Sequence, residues 1–447
     1  MGVQPQREPK GHLQSIWRNR DVVLLWAAQL VSQFGDYIFY VAILWLALEV
    51  TGDNGQAGLV AMCIHLPMIA LGLLSGSLVD RWDRRRTMIA ADAARCGLLL
   101  LFPLLHGAGA LGVLTIAALA FAVESFTSLF NPARDVLIPE LTPAPQLATA
   151  NSLVQSAGPI AMVAGPAVAG ALIPLVGLAH LFTVDAVTFA LSMLFLLAIR
   201  GSGGRPRGER QPQGRSLPGD IAEGVRHAAR DPVIRWLLLI TAVDNWFIMG
   251  PAIIGMPIFI REAVGEPAVL FGVNVAPAQL YALTITAYAV GYILCSSFIG
   301  RLPRRLSRGR VLLIGIFLDG ATWVPLAWLS DPTLILALML IHGMAVPPII
   351  VMRTSMVQEL VPEGMRGRVF AMTNLTVLGV TALTIGAFGF LTKLFPVNLL
   401  FGVYGGAAAL LGPLGWMASS LRDAGGRPAT AAREMNAADE RRNPYTG

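Results

Sequence analysis

The sequence predicts an all-α integral membrane protein in which twelve transmembrane helices form two six-helix bundles, related by a pseudo-two-fold axis along the membrane normal. Three observations predict it. The 447 residues are 55% hydrophobic and only 13% charged, with a mean hydropathy of +0.63, which is more apolar surface than one water-soluble core can bury. Apolar runs near the roughly 20-residue length that crosses a bilayer as a helix recur along the whole chain, without the alternation of a barrel strand. Two polar junctions between those runs also recur half a chain apart.

The runs fall at 21–48, 55–79, 87–106, 110–130, 148–174, 177–199, 234–260, 276–300, 311–329, 333–352, 369–394 and 397–420. An even number of spans puts 1–20, the connections at 80–86, 131–147, 200–233, 301–310 and 353–368, and 421–447 on one face. That face and its immediate boundary carry 30 of the 33 Lys and Arg, Arg235 being the one at the boundary, whereas Arg261 and Lys393 lie opposite and Arg95 falls within a span. By the positive-inside rule the chain is a multi-pass protein of the cytoplasmic (inner) membrane with both termini cytoplasmic. The pI near 9.6 therefore reports topology and contact with anionic membrane lipids, not nucleic-acid binding. Residues 1–20 read as a polar cytoplasmic segment without a removable signal, and the six-helix bundles occupy 21–199 and 234–420. Between them, 200–233 reads as a Gly-, Pro- and Arg-rich cytoplasmic linker with a short amphipathic helix at 219–230, and 421–447 reads as a disordered tail.

GSLVDRWDRRR at 76–86 aligns with SSFIGRLPRRL at 296–306, an offset of 220 that superposes Arg81, Arg84 and Arg85 on Arg301, Arg304 and Arg305. RDVLIPELTP at 134–143 aligns with RTSMVQELVP at 353–362 at an offset of 219. The first pair follows the second span of each half and the other pair the fourth. Duplicated bundles of one topology are the build of rocking transporters, with a cavity between the halves near mid-membrane. The repeat thus favours transport.

Other classes are disfavoured. The chain has no G-x-x-x-x-G-K-[ST] loop for ATP, no extramembrane segment large enough for an enzyme, and no paired histidines with a carboxylate of the kind a membrane-embedded enzyme needs. Cys63, Cys96 and Cys295 fall in separate spans without metal-ligand spacing, so neither a metal site nor a cofactor is expected.

Ionisable residues inside spans are costly and mark either pathways or structural pairs. At about 1.5 Å per residue, Arg95 and Glu124 lie roughly 12 Å and 9 Å deep, and Asp92 shares the face of Arg95. An Asp92–Arg95–Glu124 cluster follows, read as a structural ion pair or as a proton relay. Asp36 lies roughly 22 Å deep, where no span places an arginine, with Gln29 and Gln33 on the same helical face. Asp36 and Gln33 are therefore candidates for proton coupling or substrate binding, the other reading of Asp36 being a helix bend. Asp244, beside Asn245 and Trp246, is their counterpart in the second half. Asp185 and Asp319 lie nearer helix ends and read as structural, and His65 and His342 as held in helix contacts. Phe39, Tyr40, Trp45, Trp246, Phe247 and Met249 read as interface and core packing, or else as the lining of an adaptable apolar pocket.

GSLVDRWDRRR also resembles the signature loop of the major facilitator superfamily, G-x-x-x-D-R-x-G-R-R, with Asp83 where the pattern usually has glycine. FGDYIFYVAILWLALEVTG (34–52), NPARDVLIPELTPAPQLATANSL (131–153) and QELVPEGMRGRVFAM (358–372) are similar to the branch of that superfamily holding macrolide-type drug exporters, siderophore exporters and a lysophospholipid transporter. The resemblance implies that Asp80, Arg81 and Arg85 form a cytoplasmic gate, with Gly76 permitting close helix approach; the second copy has Gly300 in place of Asp80. GPIAMVAGPAVAGALIP (158–174) resembles the superfamily's antiporter motif, keeping Gly165, Pro166 and Gly170 while Ala161 and Ala169 replace two glycines. Together these imply a monomeric secondary transporter exporting amphipathic drug-like compounds or metabolites by alternating access, with protons as the coupling ion. A lysophospholipid or siderophore carrier of the same fold is the alternative within transport, and a non-transporting membrane receptor or scaffold the alternative outside it.

Overall fold

In the computed structural model, residues 16–79, 82–200, 230–264, 268–300 and 306–425 are described. Twelve helices long and apolar enough to cross a membrane run through them. They are α1 (Arg20–Thr51), α2 (Asn54–Val79), α3 (Arg84–Gly107), α4 (Val113–Leu141), α5 (Ala157–Val176), α6 (Leu178–Ala198), α7 (Pro232–Val264), α8 (Pro277–Ile299), α9 (Arg308–Ala321), α10 (Pro332–Leu360), α11 (Glu363–Leu391) and α12 (Val397–Met417). A hairpin of β1 (Ala268–Leu270) and β2 (Val273–Val275) interrupts the helical plan between α7 and α8, its turn closed by Phe271 and Gly272 at positive φ.

Short polar side chains start the helices where the sequence turns apolar. Asn19 accepts from the Val22 amide, Asp83 from Arg86, Asp231 from Val233 and Ile234, and Asp331 from Leu334, each satisfying an amide that the first turn leaves free. Asp83 thus explains how the loop forms without the usual glycine: it caps α3 from an extended conformation, φ −68°. Proline is kept inside α4, α5 and α10, and a wide π-type turn at Pro251–Gly255 lets α7 pass two prolines without ending.

Two spans correct the sequence reading. The fourth was expected to stop at 130 and the tenth at 352, yet α4 runs to Leu141 and α10 to Leu360. Arg134 and Arg353, expected in the connections, therefore lie in helices.

The packing repeats across the chain. In the first half α1 packs on α5 and α6, α2 on α4, and α3 on α4 and α6. In the second half α7 packs on α11 and α12, α8 on α10, and α9 on α10 and α12. The halves meet through α2 against α11 and α5 against α8, again an equivalent pair. This is two six-helix bundles with a pseudo-two-fold between them. Small residues set the α2–α11 crossing: a Cβ added at Gly58 of α2 would stand 2.9 Å from the Cα of Gly389 on α11. Most of the linker, with all but the last residue of the surface helix expected at 219–230, and the tail beyond 425 lie outside the described residues.

Candidate functional site

A cavity of about 410 Å³ opens between the bundles. The first half contributes Tyr37 and Tyr40 from α1 and Met162 from α5, and the second half provides most of the wall. Of the six aromatic and sulfur residues read as possible lining, Tyr40 and Met249 reach the cavity. Phe39 is instead buried against Phe102 and Phe182, Phe247 packs on Tyr404, and Trp45 stacks on Tyr281 across the bundles at 6.2 Å. The wall is apolar and sulfur-rich, with Met249, Met256 and Met339 able to adapt to differently shaped surfaces.

Its polar groups gather on the second half. Asp244 of α7, Asp319 of α9, and His342 and Arg353 of α10 all line the cavity. Asp244 and Asp319 are 6% and 3% exposed, and each has an Oδ1 atom without a hydrogen-bond partner among the described residues. Arg353 lies within electrostatic reach of Asp244, and Asp244 within reach of Asp319. His342 Nδ1 sits 3.2 Å from Asp319 Oδ1 and 3.0 Å from Thr322 Oγ1. Sequence reasoning singled out Asp244 alone in this group. Asp319, read as structural near a helix end, lies on the cavity wall, and Arg353, read as part of a cytoplasmic connection, is corrected to a helix position on the same wall.

A second charged group is buried within the first half, away from that wall. Arg95 of α3 is 1% exposed, with Phe189 and Phe130 rings 4.1 and 4.8 Å from its guanidinium carbon. It pairs tightly with Asp92, which also accepts from Ser192 at 2.6 Å. Its Nη1 stands 3.5 Å from Asp36 Oδ1. The expectation that Asp36 has no cationic partner is therefore corrected: the reach of an arginine side chain and helix inclination close a depth gap that counting rise along straight helices left open. Glu124 lies within electrostatic reach of both Asp36 and Arg95. Asp185 is fully buried and within reach of the same group, and its Oδ1 is packed against Gly35. Four carboxylates thus surround one arginine. Gln29 and Gln33 each keep a buried Oε1 without a hydrogen-bond partner among the described residues, the Gln33 oxygen facing Gly158 of α5.

Of the loop residues, Gly76 falls in α2, Asp80 and Arg81 lie outside the described residues, and Arg85 donates to the carbonyls of Leu196 and Leu197 at 2.8 and 2.6 Å. Arg85 thereby ties the start of α3 to the end of α6 within its own half. In α5, Gly165 lies against Tyr37 of α1 and Gly170 against Ala282 of α8, with Pro166 one turn before Gly170. Gln279 of α8 donates to the Gly170 carbonyl at 3.0 Å, a carbonyl that Pro174 cannot bond because it has no N–H.

The polar bonds joining the halves among the described residues gather at the face opposite the basic one. Arg261 donates to Leu48 O at 2.9 Å and Asn54 Oδ1 at 2.5 Å, Asn54 donates to Glu262 at 2.8 Å, and Lys393 meets Asp53 at 2.7 Å. The Lys393 hydrogen bond holds the Asp53 carboxyl below its ordinary value. These contacts, with the Trp45–Tyr281 stack and the Gly58–Gly389 crossing, roof the cavity.

Comparison with known proteins agrees with this architecture. The family described as transmembrane secretion effectors matches residues 15–437. The multidrug efflux pump Tap of Mycobacterium tuberculosis is 30% identical over 359 residues, covering 79% of this chain and 82% of Tap. Macrolide efflux protein A of Streptococcus pyogenes is 24% identical, over 78% of this chain and 84% of its own. Among solved structures, a bacterial homologue of the iron transporter ferroportin superposes with a TM-score of 0.68 at 18% identity, covering 90% of this chain and 99% of that one. Twelve spans, a duplicated packing plan, a roofed cavity and a family match over nearly the whole length place the chain in the transmembrane secretion effector family, as a major facilitator superfamily transporter of the drug-exporter branch.

Proposed function

We propose that this chain exports amphipathic drug-like compounds or metabolites across the cytoplasmic membrane by alternating access, with protons moving inward in exchange. The observation that carries the reading is the cavity of about 410 Å³ between two bundles, roofed on one face by contacts that only inter-bundle motion can release. The basic face is cytoplasmic by the positive-inside rule, so the conformation described here is closed outward. The names of its relatives, a multidrug pump and a macrolide efflux protein, agree in cargo class.

Coupling falls to the first half. Asp36, Asp92, Glu124 and Asp185 outnumber Arg95, and a buried surplus of carboxylates is neutralised at least cost by protons. Asp36, about one-third exposed beside Tyr37 of the cavity wall, links that group to the cargo space, with Gln33 one turn before it. Asp80, Arg81 and Arg85 act as the cytoplasmic gate, and the Gly165, Pro166 and Gly170 helix as the hinge surface between states.

The test is purified protein in liposomes, loaded with fluorescent cationic dyes or macrolides, with and without an imposed pH gradient, for native protein and Asp36→Asn. Gradient-driven transport abolished by the substitution supports proton-coupled export. Transport that survives it moves coupling to Asp244 or the Asp92–Arg95–Glu124 group. No movement of any compound sinks the drug-export reading in favour of a lysophospholipid, a siderophore or a non-transporting role.

A further inference from the structure

We propose that Asp244 and Asp319 form a subsite for the protonated amine or guanidinium of a monocationic cargo, held on the second-half wall of the cavity. The inference rests on the export reading and narrows its substrate class.

Both residues line the cavity and both are more than nine-tenths buried; among the described residues Asp244 Oδ1 has no hydrogen-bond partner, and Asp319 Oδ1 is faced by His342 Nδ1 at 3.2 Å. Buried acceptors left open cost free energy unless a ligand donor meets them. The facing groups decide what that ligand is. Thr322 has one hydroxyl proton, and it points to the Asp319 carbonyl at 2.7 Å. Its oxygen therefore meets His342 Nδ1 as an acceptor, so Nδ1 carries the ring hydrogen. In the neutral form of that tautomer the imidazole brings Asp319 a donor but no charge. Arg353 is then the one permanent cation among the cavity-lining residues, set against two carboxylates. The deficit is a single positive charge, which suits a monocation and disfavours an anion.

Rings complete the site. Trp323 and Tyr288 flank His342 at 4.8 and 5.5 Å, placing aromatic surface beside Asp319 for the cation and its apolar body. Asp36, the acid the sequence offered for proton coupling or substrate binding, already faces Arg95, so cation recognition falls to the second half.

The test uses a matched pair of probes: dansylcadaverine, a monocationic amine, and its uncharged N-acetyl derivative. Binding to the purified full-length chain is read from dansyl fluorescence, for native protein, Asp244→Asn and Asp319→Asn. Charge-assisted bonds to the carboxylates predict roughly tenfold or tighter binding of the amine to native protein, lost in each variant, with the acetylated probe unchanged. Retained binding of the acetylated probe also reports an intact cavity. Equal affinity of the two probes for native protein, or loss of the amine and the acetylated probe alike in both variants, overturns the subsite and leaves export standing. Unchanged amine affinity in both variants, with gradient-driven transport of the acetylated probe abolished, assigns the acids to protons and overturns it too. Failure of both probes to bind native protein removes the export reading along with it.

Discussion

Gly58→Ala should open the outward face without harming either bundle. The added Cβ would stand 2.9 Å from the Gly389 Cα and 3.4 Å from the Ile385 carbonyl oxygen, both backbone atoms on α11 that cannot swing aside. Apolar carbons rest at about 3.5–4.0 Å, so α2 and α11 must separate by about 1 Å where they cross. Overpacking of this kind costs roughly 1–3 kcal/mol. Because α2 stays helical in every state, the better helix propensity of alanine cancels from the equilibrium and the full cost falls on the closed arrangement. That cost lowers the closed-to-open ratio by about 5- to 150-fold. Electron–electron distance measurements between spin labels at Gln56 and Leu394, both exposed near the crossing, would read it, with Cys63, Cys96 and Cys295 first replaced. A longer-distance population should grow in Gly58→Ala. Gly379→Ala, on the same α11 where a Cβ meets nothing within 4 Å, should leave the distribution unchanged. An unaltered distribution in Gly58→Ala with native thermal stability would refute the reasoning, since the crossing would then be absent in the membrane.

Three further outcomes are expected. Lys393→Gln removes the Asp53 ion pair and should shift the same distance distribution in the same direction by a smaller amount, about 0.2–1 kcal/mol, because the pair is part-exposed. Its pH dependence has a fixed sign: Asp53 is held below the ordinary 3.8 by Lys393 in the closed state, so the pair's contribution persists above that value and fades as pH falls through the lowered one. The Lys393→Gln effect should accordingly be equal at about pH 7.5 and 5 and shrink only below about pH 4. Arg95→Met strands the fully buried Asp92 and should destabilise the protein by about 3–5 kcal/mol, read as a fall in melting temperature in detergent, with Arg95→Met/Asp92→Asn recovering much of the loss.

The span count and the duplication were legible because each span is a long apolar run and each repeat carries arginines at a constant offset. The ends of α4 and α10 were not. The connections were read as beginning at Asn131 and Arg353, but Arg134 finds Asn131 and Asp135 at hydrogen-bond distance and Arg353 lies within electrostatic reach of Asp244, so both helices carry their charges onward. The candidate site was half visible. Charged residues in spans announced themselves by type, while their grouping into an Arg95-centred set in one half and a cavity-facing set in the other depends on helix packing. Asp319 and His342 lie on different helices, and Thr322, which fixes the imidazole tautomer, looks like any helix-end threonine.

Pro174 has a consequence beyond bending α5. In an ordinary helix the Gly170 carbonyl would be satisfied by the amide four residues on, a bond indifferent to how the bundles are arranged. The proline withholds that amide, and Gln279 of the other bundle supplies the donor instead. One backbone hydrogen bond has thus been moved out of local structure and made conditional on the embrace of two domains. Were the outward face to part, this carbonyl would have to find water or another donor, so an imino acid set within one helix ties a local backbone bond to the arrangement of the two halves.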